Sequence, residues 1–176
     1  MHDDELERLF KLYHAPLVRY LTRRLGDRDW ADEVAQETFL RALRQDALTN
    51  ERSWLFAVAT NLVRDDARKD QRRRRHLQLL AADERARVAE PEPTSMERDQ
   101  EGAMARKAVD SLVERDRLAL LMKEEGLNYN EIAEALGMSV GSMGTTLARA
   151  RRRLAESYEA LQADAERRTG GTHGTR

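Results

Sequence analysis

The apolar residues of this chain recur at intervals of three and four, the spacing of one buried helix face. Leu6, Phe10, Tyr13, Leu17 and Leu21 make a first stripe. Ala31, Val34, Ala35, Thr38, Phe39 and Ala42 make a second, and Leu55, Val58, Ala59 and Leu62 a third. After a break, Met104, Ala108 and Leu112, then Leu118, Leu121 and Met122, carry the same period. No period-two alternation of the kind a half-buried strand requires competes with it. The pattern predicts an all-α protein.

The stretch from Gly126 to Leu154 predicts two helices joined by a glycine turn. Asn128 has the side chain to cap the first helix and Glu131, three residues on, can reach back to it, while Ile132, Ala133 and Leu136 supply its buried stripe. Gly137 allows the positive φ that a sharp turn needs. Ser139 is the natural N-cap of the second helix, in which Val140, Met143, Leu147, Ala150 and Leu154 share one face, and which is expected to run on through Leu161. Ser142, Thr145, Thr146 and Arg149 are then expected to face outward. Hydroxyls and an arginine on a helix seated this way suit a DNA major groove, with Arg152 and Arg153 nearby for phosphates. An ordinary helical hairpin is the plainer alternative.

At 176 residues, of which 36% are charged and 40% hydrophobic, the chain has room for one domain or two small ones with broad solvated faces. It has no cysteine, which excludes disulfides and thiolate metal sites. The four histidines, His2, His14, His76 and His173, are scattered without ligand spacing, and no phosphate loop or nucleophile motif is present. No catalytic constellation, cofactor or metal site is expected. No apolar run is long enough for a signal peptide or membrane span, so a cytoplasmic location is expected.

The net charge of −1 conceals a segregation along the chain. Arg64 to Arg75 holds seven basic residues against three acidic; Asp83 to Glu101 holds seven acidic against three basic. The acidic stretch also contains Pro91 and Pro93 and reads as a flexible linker. The resulting organisation is a helical domain over 1–76, a linker over 77–103, a helix-turn-helix domain over 104–162 and a disordered tail over 163–176. Trp54 and Phe56 beside the arginine run suit unpaired nucleic acid, since bases offer stacking faces and phosphates a charge to neutralise. Trp54 at helical spacing with Val58 and Leu62 equally suits packing, and the arginines a solvated helix end.

Three function classes accommodate these features. A promoter-reading factor engages DNA at two separated places. A stand-alone helix-turn-helix regulator needs no tryptophan- and asparagine-bearing helix running into an arginine-rich segment. A helical adaptor or sequestering protein, its basic patches serving acidic partners, needs no capped recognition helix.

Ala31 to Leu43 (ADEVAQETFLRAL), Ser53 to Lys69 (SWLFAVATNLVRDDARK), Ser111-Leu112, Glu125 to Ala133 (EGLNYNEIA) and Leu147 to Arg151 (LARAR) together, in this order and spanning nearly the whole chain, resemble the extracytoplasmic-function (group 4) sigma factors of bacterial RNA polymerase, the minimal members of the sigma-70 family. The resemblance implies a factor that gives core polymerase its promoter specificity and helps open the duplex, with no catalytic activity of its own. It assigns Glu33, Gln36, Glu37 and Leu40 to the polymerase β′ clamp coiled coil, and the C-terminal domain to the β flap and the minus-thirty-five element. For minus-ten recognition and melting it implies Trp54, Asn61, Arg64, Arg68, Lys69, Arg72 and Arg73, with a flipped-out base captured by the loop Asp46 to Arg52 and Asn61. Read alone, Asn61 is a capping or solvent-facing amide. The resemblance further implies an anti-sigma factor as partner, and association with the nucleoid when bound to polymerase. The chain departs from the family at Gly144 and Thr146, where basic residues are common, and at Thr60, where arginine is. The recognition helix is thus poor in charge, and Gly141 and Gly144 each cost it about 1 kcal/mol of helix propensity. Either its backbone comes unusually close to DNA or the domain binds weakly.

Overall fold

In the computed structural model, backbone is described for residues 3–80 and 96–170, and side chains for 4–70 and 101–168. Seven α-helices and one 3-10 turn make up these residues, and the chain divides into two compact units, Met1–Glu92 and Pro93–Arg176.

The first unit is a three-helix bundle of α1 (Asp3–Leu25), α2 (Arg28–Leu43) and α3 (Glu51–Leu80). Gly26, with φ of 72°, ends α1 in the left-handed conformation that glycine adopts without steric penalty. Asp27 follows as N-cap of α2, its carboxylate accepting from the Trp30 amide at 3.0 Å, so the turn between the helices is only two residues long. All six residues of the expected α2 stripe are buried. The α1 stripe is corrected at one position: Phe10 is 45% exposed and Leu9 is fully buried. Phe10 lies at the bundle's edge, stacked on His14 with ring centroids 4.2 Å apart and tilted against Phe39 at 5.1 Å, so it shields Phe39 while keeping a face in water. Leu55, Phe56, Ala59, Leu62 and Val63 of α3 complete the core, with Val58 half-buried.

In the second unit, α4 (Met96–Asp110), α5 (Glu114–Glu124) and α6 (Tyr129–Leu136) all pack on α7 (Met143–Gly170). The expected capping box is formed: Asn128 Oδ1 accepts from the Glu131 amide at 2.9 Å and Glu131 Oε2 from the Asn128 amide at 2.7 Å. Gly137 turns with φ of 63°. Ile132 and Ala133 are buried as expected, Leu136 is half-buried, and Ala135 is buried beside them.

The start of the recognition helix differs from expectation. Ser139 precedes a 3-10 turn, Val140–Ser142, and makes no side-chain cap; α7 proper begins at Met143. A 3-10 turn has three residues per turn rather than 3.6, so Val140 falls out of phase with Met143, Leu147 and Ala150 and is 47% exposed while they are buried. The helices also reach into segments expected to be irregular. Residues 77–80 continue α3 and 96–103 belong to α4, which confines any linker within 81–95, outside the described residues. Residues 163–170 continue α7, where Arg167 bridges Asp164 at 3.2 Å; the remainder of the expected tail, 171–176, lies outside the described residues.

Candidate nucleic-acid and polymerase interfaces

The outer face of α2 carries Glu33, Gln36, Glu37 and Leu40, spaced three and four apart opposite the buried stripe. Glu33 and Gln36 are exposed, and half-buried Glu37 accepts from Arg41 Nε at 2.9 Å. Leu40 is 52% exposed and Leu43, one further turn along, 40%. Two large apolar side chains thus stand in water on an otherwise polar face.

On α3, Trp54, Asn61 and Arg68 follow one another at seven-residue intervals and so lie on one face. Trp54 is half-buried, while Asn61 and Arg68 are exposed. The segment before this face is shorter than the expected loop of 46–52, because the helix starts at Glu51, with the Asn50 carbonyl accepting from the Trp54 amide at 2.9 Å. Glu51 is bridged by Arg8 of α1, whose Nη1 donates at 3.1 Å, tying the end of the loop to the bundle. Arg68 and Lys69 reach Asp65 and Asp66 at 3.7 and 3.8 Å, exposed pairs that solvent screens. Arg64 is half-buried, and the side chains of Arg72 and Arg73 lie outside the described residues.

Behind Asn61, on the buried side of α3, Thr60 Oγ1 and Tyr20 Oη share a hydrogen bond of 2.7 Å, and Arg24 Nη1 donates to the Thr60 carbonyl at 3.2 Å. Burial pushes the Tyr20 hydroxyl above the ordinary range, opposed by Arg24, by the Thr60 hydrogen bond and by Arg64. This arrangement accounts for threonine at position 60: a short hydroxyl satisfies the tyrosine, whereas an arginine would have to bury its charge there.

The recognition helix does not present the face expected of it. Thr145, Arg152 and Arg153 are exposed, but Thr146 is only 4% exposed and belongs to the core stripe with Met143 and Ala150. Ser142 is half-buried and donates to the Ser139 carbonyl at 2.7 Å. Arg149 turns toward α5, where its Nε and Nη2 donate to Asp116 Oδ2 and Oδ1 at 3.0 and 2.6 Å, and Arg153 Nη1 stands 3.7 Å from Asp116 Oδ2. Asp116 itself is fully buried. The Arg149 hydrogen bonds hold its carboxyl below the ordinary carboxylate range, against the upward effect of burial and with help from the charges of Arg149, Arg153 and Arg115. What faces water is Gly141, Gly144, Thr145 and Ala148, followed by Arg151, Arg152 and Arg153. Asp116 is not among the residues expected from the sequence. Its only signal there is an acid three and four residues before buried Ala119 and Leu120, with two arginines four apart on another helix.

Both halves of the chain match known family descriptions: sigma-70 region 2 over residues 9–73 and sigma-70 region 4 over residues 103–154. The chain belongs to the sigma-70 family. The ferric citrate uptake sigma factor FecI of Escherichia coli is 30% identical over 148 residues, covering 82% of this chain and 85% of its own. The extracytoplasmic-function sigma factor SigC of Mycobacterium tuberculosis is 33% identical over 174 residues, covering 92% of this chain and 83% of its own. Among solved structures, the sigma factor RpoE of Bartonella quintana, in complex with the anti-sigma factor NepR, aligns with a TM-score of 0.64 over 88% of this chain and 97% of its own, at 20% identity, a likeness of fold. This sigma factor is of the extracytoplasmic-function group and directs core RNA polymerase to promoters at transcription initiation. Region 2 takes in most of α1, all of α2 and α3 as far as residue 73, while region 4 runs from residue 103 in α4 to residue 154 in α7. Among the described residues, no helix is long and apolar enough to cross a membrane.

Proposed function

We propose that the three faces divide the work of initiation. The outer face of α2 binds core polymerase: Leu40 and Leu43 are apolar anchors left in water by the monomer, rimmed by Glu33, Gln36 and Glu37, the apolar-centre and polar-rim composition of a protein interface. The face of α3 bearing Trp54, Asn61 and Arg68, with Arg64, Lys69, Arg72 and Arg73, takes the minus-ten strand during melting. The row Thr145, Ala148 and Arg152 on α7, with Arg153 at its edge, lies toward the minus-thirty-five duplex. The protein acts by binding, with no catalysis of its own, in the cytoplasm and at the nucleoid when polymerase-bound. An anti-sigma factor is a further partner, a reading supported by the complex in which the Bartonella protein was solved.

The observation that carries this reading is the α3 face. An exposed amide sits seven residues from a half-buried tryptophan and seven from an exposed arginine, so an amide that can read a base edge, an aromatic surface and a phosphate partner share one side of a rigid helix. Asn61→Ala is expected to reduce open-complex formation on duplex promoters at least about tenfold, the effect of losing about 1.4 kcal/mol, with the closed complex little changed. Permanganate footprinting of the holoenzyme measures it. Equal melting by variant and parent returns Asn61 to a solvent-facing amide.

A further inference from the structure

Asp116 is a fully buried acid, supplied with partners by the helix that faces DNA. A buried carboxylate is tolerated only when charge and hydrogen bonds compensate it, and here both oxygens are met by Arg149, with Arg153 at 3.7 Å. Two of the three guanidinium nitrogens of Arg149 are committed to this pair. Phosphate attraction depends on positive charge that can displace counterions from DNA, and a half-buried guanidinium already paired with a carboxylate contributes less of it. The water-facing side of α7 carries Gly144, Thr145 and Ala148 in its first turns and its exposed arginines, Arg151, Arg152 and Arg153, only further along, with Arg152 3.8 Å from Glu156 and Arg153 3.7 Å from Asp116.

We propose that Asp116 is a specificity-determining positioning residue: by holding Arg149 against α5, it keeps the recognition helix from acting as a general phosphate clamp. With sequence-independent attraction reduced by one arginine and confined to Arg151, Arg152 and Arg153, discrimination rests more heavily on the contacts made by Thr145, Ala148 and the backbone at Gly141 and Gly144. The proposal rests on the reading of α7 as the DNA-facing helix. It differs from a merely structural role for the pair in what it says about salt. Arg149, Arg153 and Asp116 together carry one net positive charge. Asp116→Asn leaves two, while Asp116→Asn with Arg149→Gln returns to one and keeps a neutral pair able to hydrogen-bond.

The test uses the full chain and a fluorescent mixed-sequence DNA duplex, with affinity measured between about 50 and 200 mM salt. Arg152→Ala is expected to make the slope of log affinity against log salt shallower by about one. Asp116→Asn is expected to steepen it by about one, and the double variant to match the parent. Melting curves report the fold of each variant, and the double variant decides the matter where Asp116→Asn alone fails to fold. An unchanged slope for Arg152→Ala overturns the DNA-facing reading and the proposal with it. If Arg152→Ala responds, an unchanged slope in folded Asp116→Asn overturns the proposal alone. So does a double variant whose slope is shallower by about one, because Arg149 would then already be on phosphate in the parent.

Discussion

The two units solve the problem of a buried polar group in opposite ways. In the first, Tyr20 and Thr60 pair as neutral hydroxyls deep in the bundle, and the cations at positions 68 and 69 remain on the surface of α3. In the second, an ionised Asp116 is buried and draws Arg149 inward from α7. A neutral pair asks for one partner and imposes no charge on its surroundings. A buried carboxylate requires cations, and here they come from α7, the helix proposed to lie toward DNA. Arg68 therefore stays at the surface of the first unit, whereas in the second Arg149 is held half-buried against α5 while Arg151, Arg152 and Arg153 remain exposed.

Arg149→Ala cuts deepest into this contrast, since it leaves Asp116 buried with only the longer Arg153 contact. It is expected to lose more stability in urea unfolding than any change on an exposed face, whereas Arg152→Ala stays within about 0.5 kcal/mol of the parent. A loss no larger than that of Arg152→Ala means the pair is ornamental. Tyr20→Phe is the corresponding cut in the first unit. It strands the Thr60 hydroxyl and is expected to cost about 1–2 kcal/mol by the same measurement.

The two pairs should also fail at opposite ends of the pH scale. Because the folded-state pKa of Asp116 is depressed, its stabilising contribution is present above the ordinary carboxylate pKa of about 4 and is lost as pH falls through that range toward the lower folded value. The folded-state pKa of Tyr20 is raised, so its contribution is intact below the ordinary tyrosine pKa of about 10 and is lost as pH rises beyond it. Residue-resolved amide exchange should show Leu147 and Ala150 losing protection first in acid, and Phe56 and Ala59 first in alkali. Asp116→Asn should abolish the first effect and Tyr20→Phe the second; loss of protection in the same order at both extremes contradicts the assignment.

The smallest effect is expected on the recognition face. A Cβ built on Gly144 meets nothing within 4 Å, so Gly144→Ala is expected to stabilise the second unit by up to about 1 kcal/mol through helix propensity alone. Thermal melting measures the gain. A destabilised Gly144→Ala variant means that this glycine serves the fold in a way open space does not explain.

The all-α class, the six buried positions of α2, the Asn128–Glu131 capping box and the turn at Gly137 were legible in the chain, because each depends on residues within a few positions of one another and on a fixed helical period. The family resemblance was carried by short motifs in order, which is also local information. Tertiary packing decided the rest. A three-residue turn at Val140–Ser142 took Val140 out of phase with the core stripe, and Thr146, three residues after Met143 and four before Ala150, packed inside with them. Asp116, 33 positions before Arg149, took that arginine out of the outward face. Periodicity assigns each residue to a side of its own helix, and a polar side chain scores as outward by default. Only the packed structure shows that an acid on a neighbouring helix is fully buried, and that the electrostatic cost of leaving it unpaired exceeds the hydration an arginine gives up to reach it.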